Sequence, residues 1–345
     1  MKVLRLHGAT QLALHEEPVP TASDGELLVR VTAVGLCGSD RHWLSEGGIG
    51  DAGLDAPLVL GHEFGGIVES GRRAGERVVL EPAVPCRTCP VCRAGYPHLC
   101  PTLRFAGHGD TDGALRTLMA WPDHLAHRVP DSIPDPEAPL LEPLGVALHA
   151  LHLGHVGPGT TVAVFGCGPI GLLLLLAALA TGASVILATD RLAHRLEAAT
   201  GRGADRTLTA GDPGIEAASK EATGGLGVDV AVEASGEDGA LEDAIAATRP
   251  GGRVVLVGIP DDDRSSFTAS VARRKGLTLL LCRRMEPSDL SRAIDLVASG
   301  RVVLEGLVTA RYGLDGWEDA FAALLDRRGL KVIVEPQRQD KEETG

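Results

Sequence analysis

Short apolar runs, separated by glycine, proline and polar residues, fill the chain from residue 1 to about residue 150. Leu27–Val31 and Arg77–Leu80 are two such runs, and each has the length of a short β-strand. Runs of this kind that end in turn-forming residues are typical of strands joined by irregular loops. The pattern therefore predicts an irregular, β-rich domain in this part of the chain.

After Leu141 the pattern changes to strands that alternate with helices. The strand-like run Thr161–Phe165 leads into glycines and a leucine- and alanine-rich helical stretch that extends to Thr181, and a second strand-like run follows at Ser184–Thr189. The alternation continues with strand-like Val228–Glu233, Arg253–Gly258 and Leu277–Cys282, and with helix-like Glu216–Ala222 and Ala240–Ala247. Such alternation predicts an α/β fold with a parallel, doubly wound sheet.

The residue pattern predicts two further helices and a final strand in the last part of the chain, from about residue 283 to residue 336. The helices are expected at Ser288–Ser299 and Gly316–Asp326, and the strand at Lys331–Val334. The polar segment Gln337–Gly345 is predicted to be disordered, because chain ends that bury no apolar surface are seldom ordered.

Composition narrows the classes of function. A chain of 345 residues has room for two domains, and its 44% hydrophobic residues and 44 glycines are typical of a turn-rich α/β protein. The net charge of −13 argues against a nucleic acid or an anionic membrane as partner, because both require a basic surface. The most apolar run, Ile170–Ala180, is too short to cross a bilayer, and the first residues do not resemble a signal peptide. We therefore expect a cytoplasmic protein.

Four of the seven cysteines lie close together in the sequence. Cys86, Cys89, Cys92 and Cys100 have the spacing C-x2-C-x2-C-x7-C. Four thiolates on one loop can surround a tetrahedral Zn²⁺ and close it off from water, so the spacing predicts a structural zinc site. The alternatives are an iron–sulfur cluster, whose cysteine runs look similar, and a redox dithiol.

A glycine motif follows the first predicted strand of the α/β region. Gly166, Gly168 and Gly171, with Pro169 and Ile170 between the last two, form G-x-G-x-x-G where the strand meets the helix. In such motifs the first glycine makes a tight turn, the second lets the backbone approach a pyrophosphate, and the third lets helix and strand pack closely. The motif and its context predict a dinucleotide site, and the alternative is a glycine-rich turn of purely structural origin.

An acidic residue at the end of the next strand bears on which dinucleotide is bound. Asp190 lies 19 residues after Gly171, where a carboxylate can accept hydrogen bonds from the ribose hydroxyls of adenosine. That carboxylate would repel a 2′-phosphate, so NAD is favoured over NADP. Arg191 and Arg195 are candidates to pair with such a phosphate, which keeps NADP as the alternative.

Possible ligands for a second metal ion are spread over the first half of the chain. Cys37 precedes His62 by 25 residues, and Glu63 and Glu142 are the candidate carboxylates. Three protein ligands would leave a coordination position open, as a catalytic zinc requires. His62 and Glu63 are neighbours, so both reach one ion only if the backbone bends between them or one side chain stays behind the other. Taken singly, each of these residues is an ordinary structural residue.

Together these motifs resemble those of the zinc-dependent medium-chain dehydrogenases, from about residue 1 to residue 336. The resemblance is carried, in the order of the family, by G-L-C-G-S-D at Gly35–Asp40, G-H-E-F-G-G at Gly61–Gly66, the four cysteines, E-P-L-G-V-A-L-H-A at Glu142–Ala150 and G-C-G-P-I-G at Gly166–Gly171. The chain looks most similar to the polyol branch, because Glu142 stands where classical alcohol dehydrogenases have a cysteine.

The resemblance implies a division of the chain into domains. Residues 1–150 would form the first part of a GroES-like catalytic domain, and residues 151–283 a Rossmann domain that binds NAD. Residues 284–345 would return to the catalytic domain and end in the polar tail.

The resemblance also implies roles for individual residues. Cys37, His62 and Glu63 would bind a catalytic zinc, and Glu142 would reach it directly or through water. Ser39 and His42 match the hydroxyl and the imidazole of the family's proton relay. Arg283 matches a polyol-binding arginine, although Arg284 is equally available. Arg195 joins the glycine motif and Asp190 in the expected cofactor site.

The expected activity is the oxidation of a secondary alcohol of a polyol to a ketone, with hydride transfer to NAD. The expected cofactors are one catalytic and one structural zinc per chain and NAD, and the expected assembly is a homo-oligomer, either a tetramer or a dimer. The alternatives are an NAD-dependent dehydrogenase of another alcohol, such as butanediol, a sugar or threonine, and a zinc-stabilised nucleotide-binding protein without turnover.

One single histidine and one group of three histidines have no role in the sites predicted above. His108 is a candidate for the border of the substrate cleft. His149, His152 and His155 recur every three residues, which could indicate a further metal-binding face. Positions at that spacing drift around a helix, so we interpret the three as ordinary polar or packing residues.

Overall fold

The computed structural model describes residues 1–339 and folds into two compact units. The first unit comprises Met1–Glu142, Leu290–Ala298 and the chain from Leu304 onward. The second comprises Pro143–Asp289 and Ser299–Val303. The sequence predicts disorder for Gln337–Gly345. Residues 340–345 of that segment lie outside the described range.

In chain order the strands are β1 Lys2–Leu6, β2 Leu12–Glu16, β3 Glu26–Gly35, β4 Gly48–Ile49, β5 Ala52–Gly53, β6 Leu58–Val59, β7 Glu63–Val68, β8 Arg77–Leu80, β9 Ala83–Val84, β10 Arg104–Phe105, β11 Leu118–Pro122, β12 Ala126–Arg128, β13 Thr161–Phe165, β14 Val185–Asp190, β15 Arg206–Thr209, β16 Val228–Glu233, β17 Thr248–Leu256, β18 Thr278–Leu281, β19 Val308–Gly313 and β20 Lys331–Glu335. The helices are α1 Gly38–Glu46, α2 Pro90–Arg93, α3 Leu141–Leu153, α4 Pro169–Thr181, α5 Ala193–Gly201, α6 Ile215–Ala222, α7 Asp238–Ala247, α8 Ala269–Lys275, α9 Asp289–Ala298 and α10 Trp317–Leu325. Short 3₁₀ helices cover Pro97–Leu99, Asp123–Leu125 and Ala138–Leu140.

A seven-stranded sheet organises the first unit. Its strands follow the order β12, β8, β7, β3, β20, β19, and β11 pairs with β3. Along β3, Val29, Val31 and Ala33 are fully buried, while Arg30 and Thr32 between them are partly exposed. This alternation follows the two-residue period of a strand with one face on the core. A smaller sheet of β2, β1 and β6 adds apolar residues to the same core.

The last described strand returns to the middle of this sheet. β20 pairs antiparallel with the end of β3, so that Ile333 lies opposite Gly35 and Val334 opposite Val34. β3 also pairs with β7, where Gly35 lies opposite Glu63. The end of β3 is therefore flanked by the beginning of β7 and by the middle of β20, and this arrangement builds one wall of the site described below.

A six-stranded parallel sheet organises the second unit, in the order β15, β14, β13, β16, β17, β18. The four residues Val162 to Phe165 of its central strand β13 are all buried. Burial on both strand faces is what a parallel sheet covered by helices requires. The parallel, doubly wound sheet predicted from the sequence is confirmed.

Several elements differ from the prediction. α5, α8, β15 and β19 were not expected, and β17 begins at Thr248 rather than at Arg253. Pro250, Gly251 and Gly252 have the composition of a turn, but they lie within β17 at a register shift opposite β16, where Gly251 has a φ of 73°. Within residues 1–339, no helix combines the length and the apolar character needed to cross a membrane.

Candidate catalytic and cofactor sites

Cys37 lies at the turn between β3 and α1. It precedes the first residue of α1 and has an extended backbone, with φ −109° and ψ 161°. The Asp40 Oδ2 atom accepts a hydrogen bond of 2.9 Å from the Cys37 N–H, and the Asp40 N–H donates to the Cys37 carbonyl oxygen. An acid at the third helical position that bonds back to the capping residue fixes the entry into the helix. The position of the Cys37 thiol is therefore set by the start of α1.

His62 and Glu63 lie at the start of β7, directly after Gly61, whose φ is 92°. A glycine adopts this left-handed conformation without strain. Both side chains are buried, and their ligand atoms and the Cys37 sulfur all lie within 4.8 Å of one another. The structure thus brings the three predicted zinc ligands of the first unit together.

The electrostatics of this cluster favour a positive charge. Burial opposes protonation of His62, but its hydrogen bond to Cys37 and the negative charges of Cys37, Asp40 and Glu142 raise the pKa of His62 to about 10. A thiolate, an imidazole and carboxylates are also the donor set of a catalytic zinc. The residues present therefore fit the ion that the family implies, with Cys37, His62 and Glu63 as candidate ligands.

Glu142 is buried in the first turn of α3, close enough to His62 to raise its pKa. It is not one of the three residues whose ligand atoms cluster within 4.8 Å. Glu142 is therefore a further acidic group of the same site, beside the three clustered residues.

Asp40 is a functional residue that the sequence analysis did not single out. It is completely buried, and its Oδ1 atom lies 3.9 Å from His62 Nδ1. Burial raises the pKa of Asp40, although His62 and the bond from Cys37 N–H oppose this rise. Carboxylates beside a metal-binding histidine orient its ring. The sequence did contain a sign of this role, because an acid three residues after Cys37 suits a hydrogen bond back to the residue that precedes a helix.

Lys331 is the second residue that sequence reasoning missed. Its Nζ atom forms an ion pair with Glu63 Oε2, and both side chains are only 2% exposed. Burial disfavours the charged amine, but Glu63, Cys37 and Asp40 more than compensate and raise the pKa of Lys331. A Cβ atom on Gly35 would lie 2.8 Å from Lys331 Cε and would also collide with Glu63 Oε2. Gly35 therefore leaves the space in which this pair forms.

The two residues expected to form the proton relay share one face of α1. Ser39 and His42 are three residues apart, which places them on adjacent turns. The Ser39 Oγ atom is buried and has no hydrogen-bond partner within residues 1–339. His42 is buried, and its Nδ1 atom lies 3.1 Å from Glu46 Oε1.

Aromatic rings border His62. The ring of Phe105 lies 5.4 Å from the His62 ring, and His108 lies edge-on to Trp43 with ring centroids 5.3 Å apart. Phe105 and His108 are in turn 6.4 Å apart. Phe105 thus places an apolar ring beside His62, and the polar ring of His108 joins Phe105 to Trp43. The role of His108 at a substrate cleft stays a prediction.

The four clustered cysteines converge around one point. All four sulfurs lie within 4.8 Å of one another, and Cys86 Sγ is 3.5 Å from Cys100 Sγ and 4.0 Å from Cys92 Sγ. Sulfurs bound at about 2.3 Å to one tetrahedral zinc lie roughly 3.8 Å apart. Hydrogen bonds from the backbone at Thr88 and Cys89 lower the pKa of Cys86 to about 5. The spacing and the stabilised thiolate fit a single closed zinc ion.

The glycine motif joins β13 to α4 in the second unit. Gly166 has a φ of 101°, Gly168 caps α4, and Pro169 and Ile170 begin the helix. A Cβ atom on Gly171 would collide with the Gly166 carbonyl oxygen. The turn therefore requires glycine at both ends, as a pyrophosphate-binding turn does.

Asp190 lies at the end of β14 beside this turn. Its Oδ2 atom accepts a 2.8 Å hydrogen bond from the Cys167 N–H, and its Oδ1 atom accepts one of 2.8 Å from the Leu192 N–H. Arg195 Nη1 is 3.8 Å from Asp190 Oδ2, and a Cβ atom on Gly168 would lie 3.5 Å from the same nitrogen. Arg191 points to a different partner, since its Nη2 donates to Glu237 Oε1 at 2.8 Å.

The predicted polyol-binding arginine follows β18. Arg283 is exposed in the second unit, and its neighbour Arg284 is half-buried with a φ of 60°. The role of Arg283 stays a prediction.

Comparison with known proteins adds to this picture. The family model described as "Alcohol dehydrogenase GroES-like domain" matches residues 23–131, and the one described as "Zinc-binding dehydrogenase" matches residues 169–299. The chain is 34% identical to a sorbitol dehydrogenase of Bacillus subtilis over 346 residues, which cover 98% of both chains. It is 36% identical to a probable D-xylulose reductase A of Neosartorya fischeri over 341 residues, which cover 95% of both.

A solved structure agrees. A putative zinc-binding dehydrogenase of Sinorhizobium meliloti bound to NADP matches with a TM-score of 0.88 and 30% identity, over 97% of this chain and 99% of that one. These matches confirm the predicted combination of a GroES-like and a Rossmann domain. The chain therefore belongs to the zinc-dependent medium-chain dehydrogenases, in their polyol dehydrogenase family.

Proposed function

We propose that this protein oxidises a secondary alcohol of a polyol to a ketone and transfers the hydride to NAD. The observation that carries the proposal is the convergence of Cys37, His62 and Glu63 in the first unit, with Glu142 behind them. The relatives named sorbitol dehydrogenase and D-xylulose reductase support a polyol substrate.

In this proposal Cys37, His62 and Glu63 hold the catalytic zinc, with Glu142 as the fourth candidate. When bound, the ion supplies a Lewis acid that stabilises an alkoxide. Ser39 Oγ, which is buried without a partner among the described residues, would accept the proton of the substrate hydroxyl as it gives up its own proton by way of the cofactor ribose. His42, held by Glu46, would take that proton on toward solvent. The groups that remove the proton are thus fixed on one helix before the substrate arrives.

Lys331 has a supporting role in the same site. A buried carboxylate is costly unless it is paired, and the Lys331 ammonium is the partner of Glu63. In this proposal Glu63 offers one carboxylate oxygen to the ion while the other contacts Lys331. The same pair competes with the ion for Glu63, which makes Glu142 the candidate that replaces it.

The cofactor assignment rests on Asp190. Two backbone N–H groups hold its carboxylate in place, and this ionised group favours the free ribose hydroxyls of NAD. The ion pair of Arg191 with Glu237 occupies one of the two guanidinium groups that would otherwise suit a 2′-phosphate. Arg195 and the NADP-bound relative support NADP as the alternative.

One observation favours a second substrate class. The rings of Trp43, Phe105 and His108 form an aromatic cluster that contacts His62 through Phe105. Apolar rings such as Phe105 and Trp43 suit an alcohol with a hydrocarbon end, such as a vicinal diol of the butanediol type. A polyol would instead use polar groups such as Glu142 and Arg283 for its additional hydroxyls.

The proposal includes a second, structural zinc on Cys86, Cys89, Cys92 and Cys100. Homo-oligomerisation, as a tetramer or dimer, and a cytoplasmic location stay predictions.

The test is a substrate screen on the full-length protein with its zinc content measured. NADH formation at 340 nm would be followed with sorbitol, xylitol, butanediol and threonine, using NAD and then NADP. We expect turnover with a polyol and NAD. Absence of turnover across a broad alcohol panel, in protein whose catalytic and cysteine sites both hold zinc, would support the alternative of a non-catalytic nucleotide-binding protein.

A further inference from the structure

A further group of side chains that can bind a metal lies in the second unit, and it shares no residue with the two sites described above. His149 and His152 are one helical turn apart on α3 and face the same carboxylate. His149 Nδ1 is 3.9 Å from Glu286 Oε1, and His152 Nδ1 is 3.8 Å from Glu286 Oε2. Ligand atoms of His149, Glu286 and Asp289 all lie within 4.8 Å of one another.

The position of Glu286 is fixed by the turn before α9. The Asp289 Oδ2 atom accepts a 2.9 Å hydrogen bond from the Glu286 N–H, and the Asp289 N–H donates at 2.9 Å to the Glu286 carbonyl oxygen. α3 approaches this turn closely, because a Cβ atom on Gly145 would lie 2.5 Å from Met285 Sδ. A glycine at that position therefore lets the helix and the turn bring the four side chains together.

The distances suit ligands of one ion better than direct hydrogen bonds. Hydrogen bonds between nitrogen and oxygen are about 2.7–3.2 Å long, so 3.8–3.9 Å is too long for one. Ligand atoms at about 2.0–2.2 Å from a tetrahedral zinc lie roughly 3.3–3.6 Å apart. The observed distances of 3.8 and 3.9 Å are slightly longer, so a small closing movement of the side chains would bring both histidines and Glu286 to that spacing.

The burial of the group supports the same reading. His149 and Asp289 are buried, while Glu286 is half-buried and His152 is exposed at the rim. The inner part of the group is thus shielded from water, while the exposed His152 leaves an ion a path of entry.

We propose that His149, Glu286 and Asp289, with His152 as a fourth ligand from the exposed rim, form a third metal site of this protein. Two imidazoles and carboxylates select a zinc-like transition ion over Mg²⁺ or Ca²⁺, which prefer oxygen ligands alone. The ion would join α3 to the turn before α9 within the second unit. It is therefore a stabilising site, independent of the alcohol-oxidising chemistry.

This proposal changes the interpretation of the histidines. His155, which shares their spacing in the sequence, lies beyond the end of α3 and has a φ of 56°. It does not belong to the group. Sequence analysis could not connect the histidines with Glu286, because Glu286 follows His149 by 137 residues along the chain.

The test compares zinc content between variants of the full-length protein. Wild type, His152→Ala, Glu286→Gln and the control His155→Asn would be dialysed to equilibrium against low-micromolar free zinc, and bound zinc would be measured by mass spectrometry. Asparagine tolerates the left-handed backbone of residue 155. We expect the wild type and His155→Asn to hold one zinc per chain more than His152→Ala and Glu286→Gln.

The measured quantity is the difference in bound zinc between the wild type and each variant, so it does not depend on turnover or on occupancy of the catalytic site. Thermal unfolding gives a second measurement, because an ion that binds only the folded state raises Tm. We expect added zinc to raise the Tm of the wild type more than that of His152→Ala. Equal zinc content in all four proteins, or an equal loss in His155→Asn, would overturn the proposal.

Discussion

Lys331 on β20 and Glu63 on β7 form an ion pair in which each side chain is 2% exposed. The two residues are far apart in the sequence, and they meet because β20 and β7 both pair with the end of β3. One member of this pair is a candidate zinc ligand. The pairing therefore links the packing of the central sheet to the charge of the catalytic site.

Replacement of Lys331 by methionine should destabilise the protein strongly. Loss of one partner from a buried ion pair typically costs roughly 3–5 kcal/mol, because the other charge stays buried and uncompensated. We expect a loss of this size in the free energy of unfolding of the zinc-free protein, measured by urea denaturation. The loss should be smaller in zinc-loaded protein, since the ion supplies a positive charge to Glu63.

Lys331→Arg is the matched control, because it keeps the charge and changes only the shape. We expect it to retain more of the stability than Lys331→Met. Equal stability of wild type and Lys331→Met, with and without zinc, would show that the pair contributes nothing to this site.

Cys37→Ser tests the assignment of the catalytic zinc. The variant should lose turnover and one zinc per chain, while NAD binding and circular dichroism stay close to those of the wild type. Cys100→Ser is the contrasting variant, since it should also lose one zinc but lower Tm by opening the closed cysteine loop. Unchanged turnover in Cys37→Ser would refute its assignment as a ligand.

Local sequence patterns were enough to predict much of the fold and most residues of the candidate site. The strand-turn-helix around Gly166 and the four clustered cysteines are local patterns, and their physical reasons act within a few residues. Of the two site residues that were missed, Lys331 depends on distant pairing, because it reaches Glu63 only through the register of β20 against β3. Asp40 is local, since it bonds to Cys37 three residues before it. As with Lys331, nothing near Glu286 in the sequence indicates that it meets His149. The start of β17 was missed because Pro250 and Gly251 suit a turn in isolation.

Ser39→Ala tests the proton relay. The Ser39 hydroxyl has no hydrogen-bond partner within the described residues, so its removal should change the free energy of unfolding little. Turnover should fall by roughly a hundredfold or more, because a positioned proton acceptor is lost. Ser45→Ala on the same helix is the control, since its exposed hydroxyl donates to the Arg41 carbonyl oxygen. A Ser39→Ala enzyme as fast as Ser45→Ala would exclude Ser39 from the relay.

Asp190→Asn tests the choice between the two dinucleotides. Asparagine keeps the size of the side chain, but it removes the charge and keeps only one of the two hydrogen bonds that the Cys167 and Leu192 N–H groups donate to separate carboxylate oxygens. Hydrogen bonds to charged groups contribute about 1.5–3 kcal/mol, so the Kd for NADH should rise by about tenfold or more. The Kd for NADPH should stay the same or fall, because the repulsion of the 2′-phosphate is relieved. Fluorescence titration with both cofactors measures the two constants, and Glu221→Gln, which disturbs only a surface ion pair with Arg206, is the control. Equal weakening of both cofactors would mean that Asp190 supports the glycine turn and does not read the ribose.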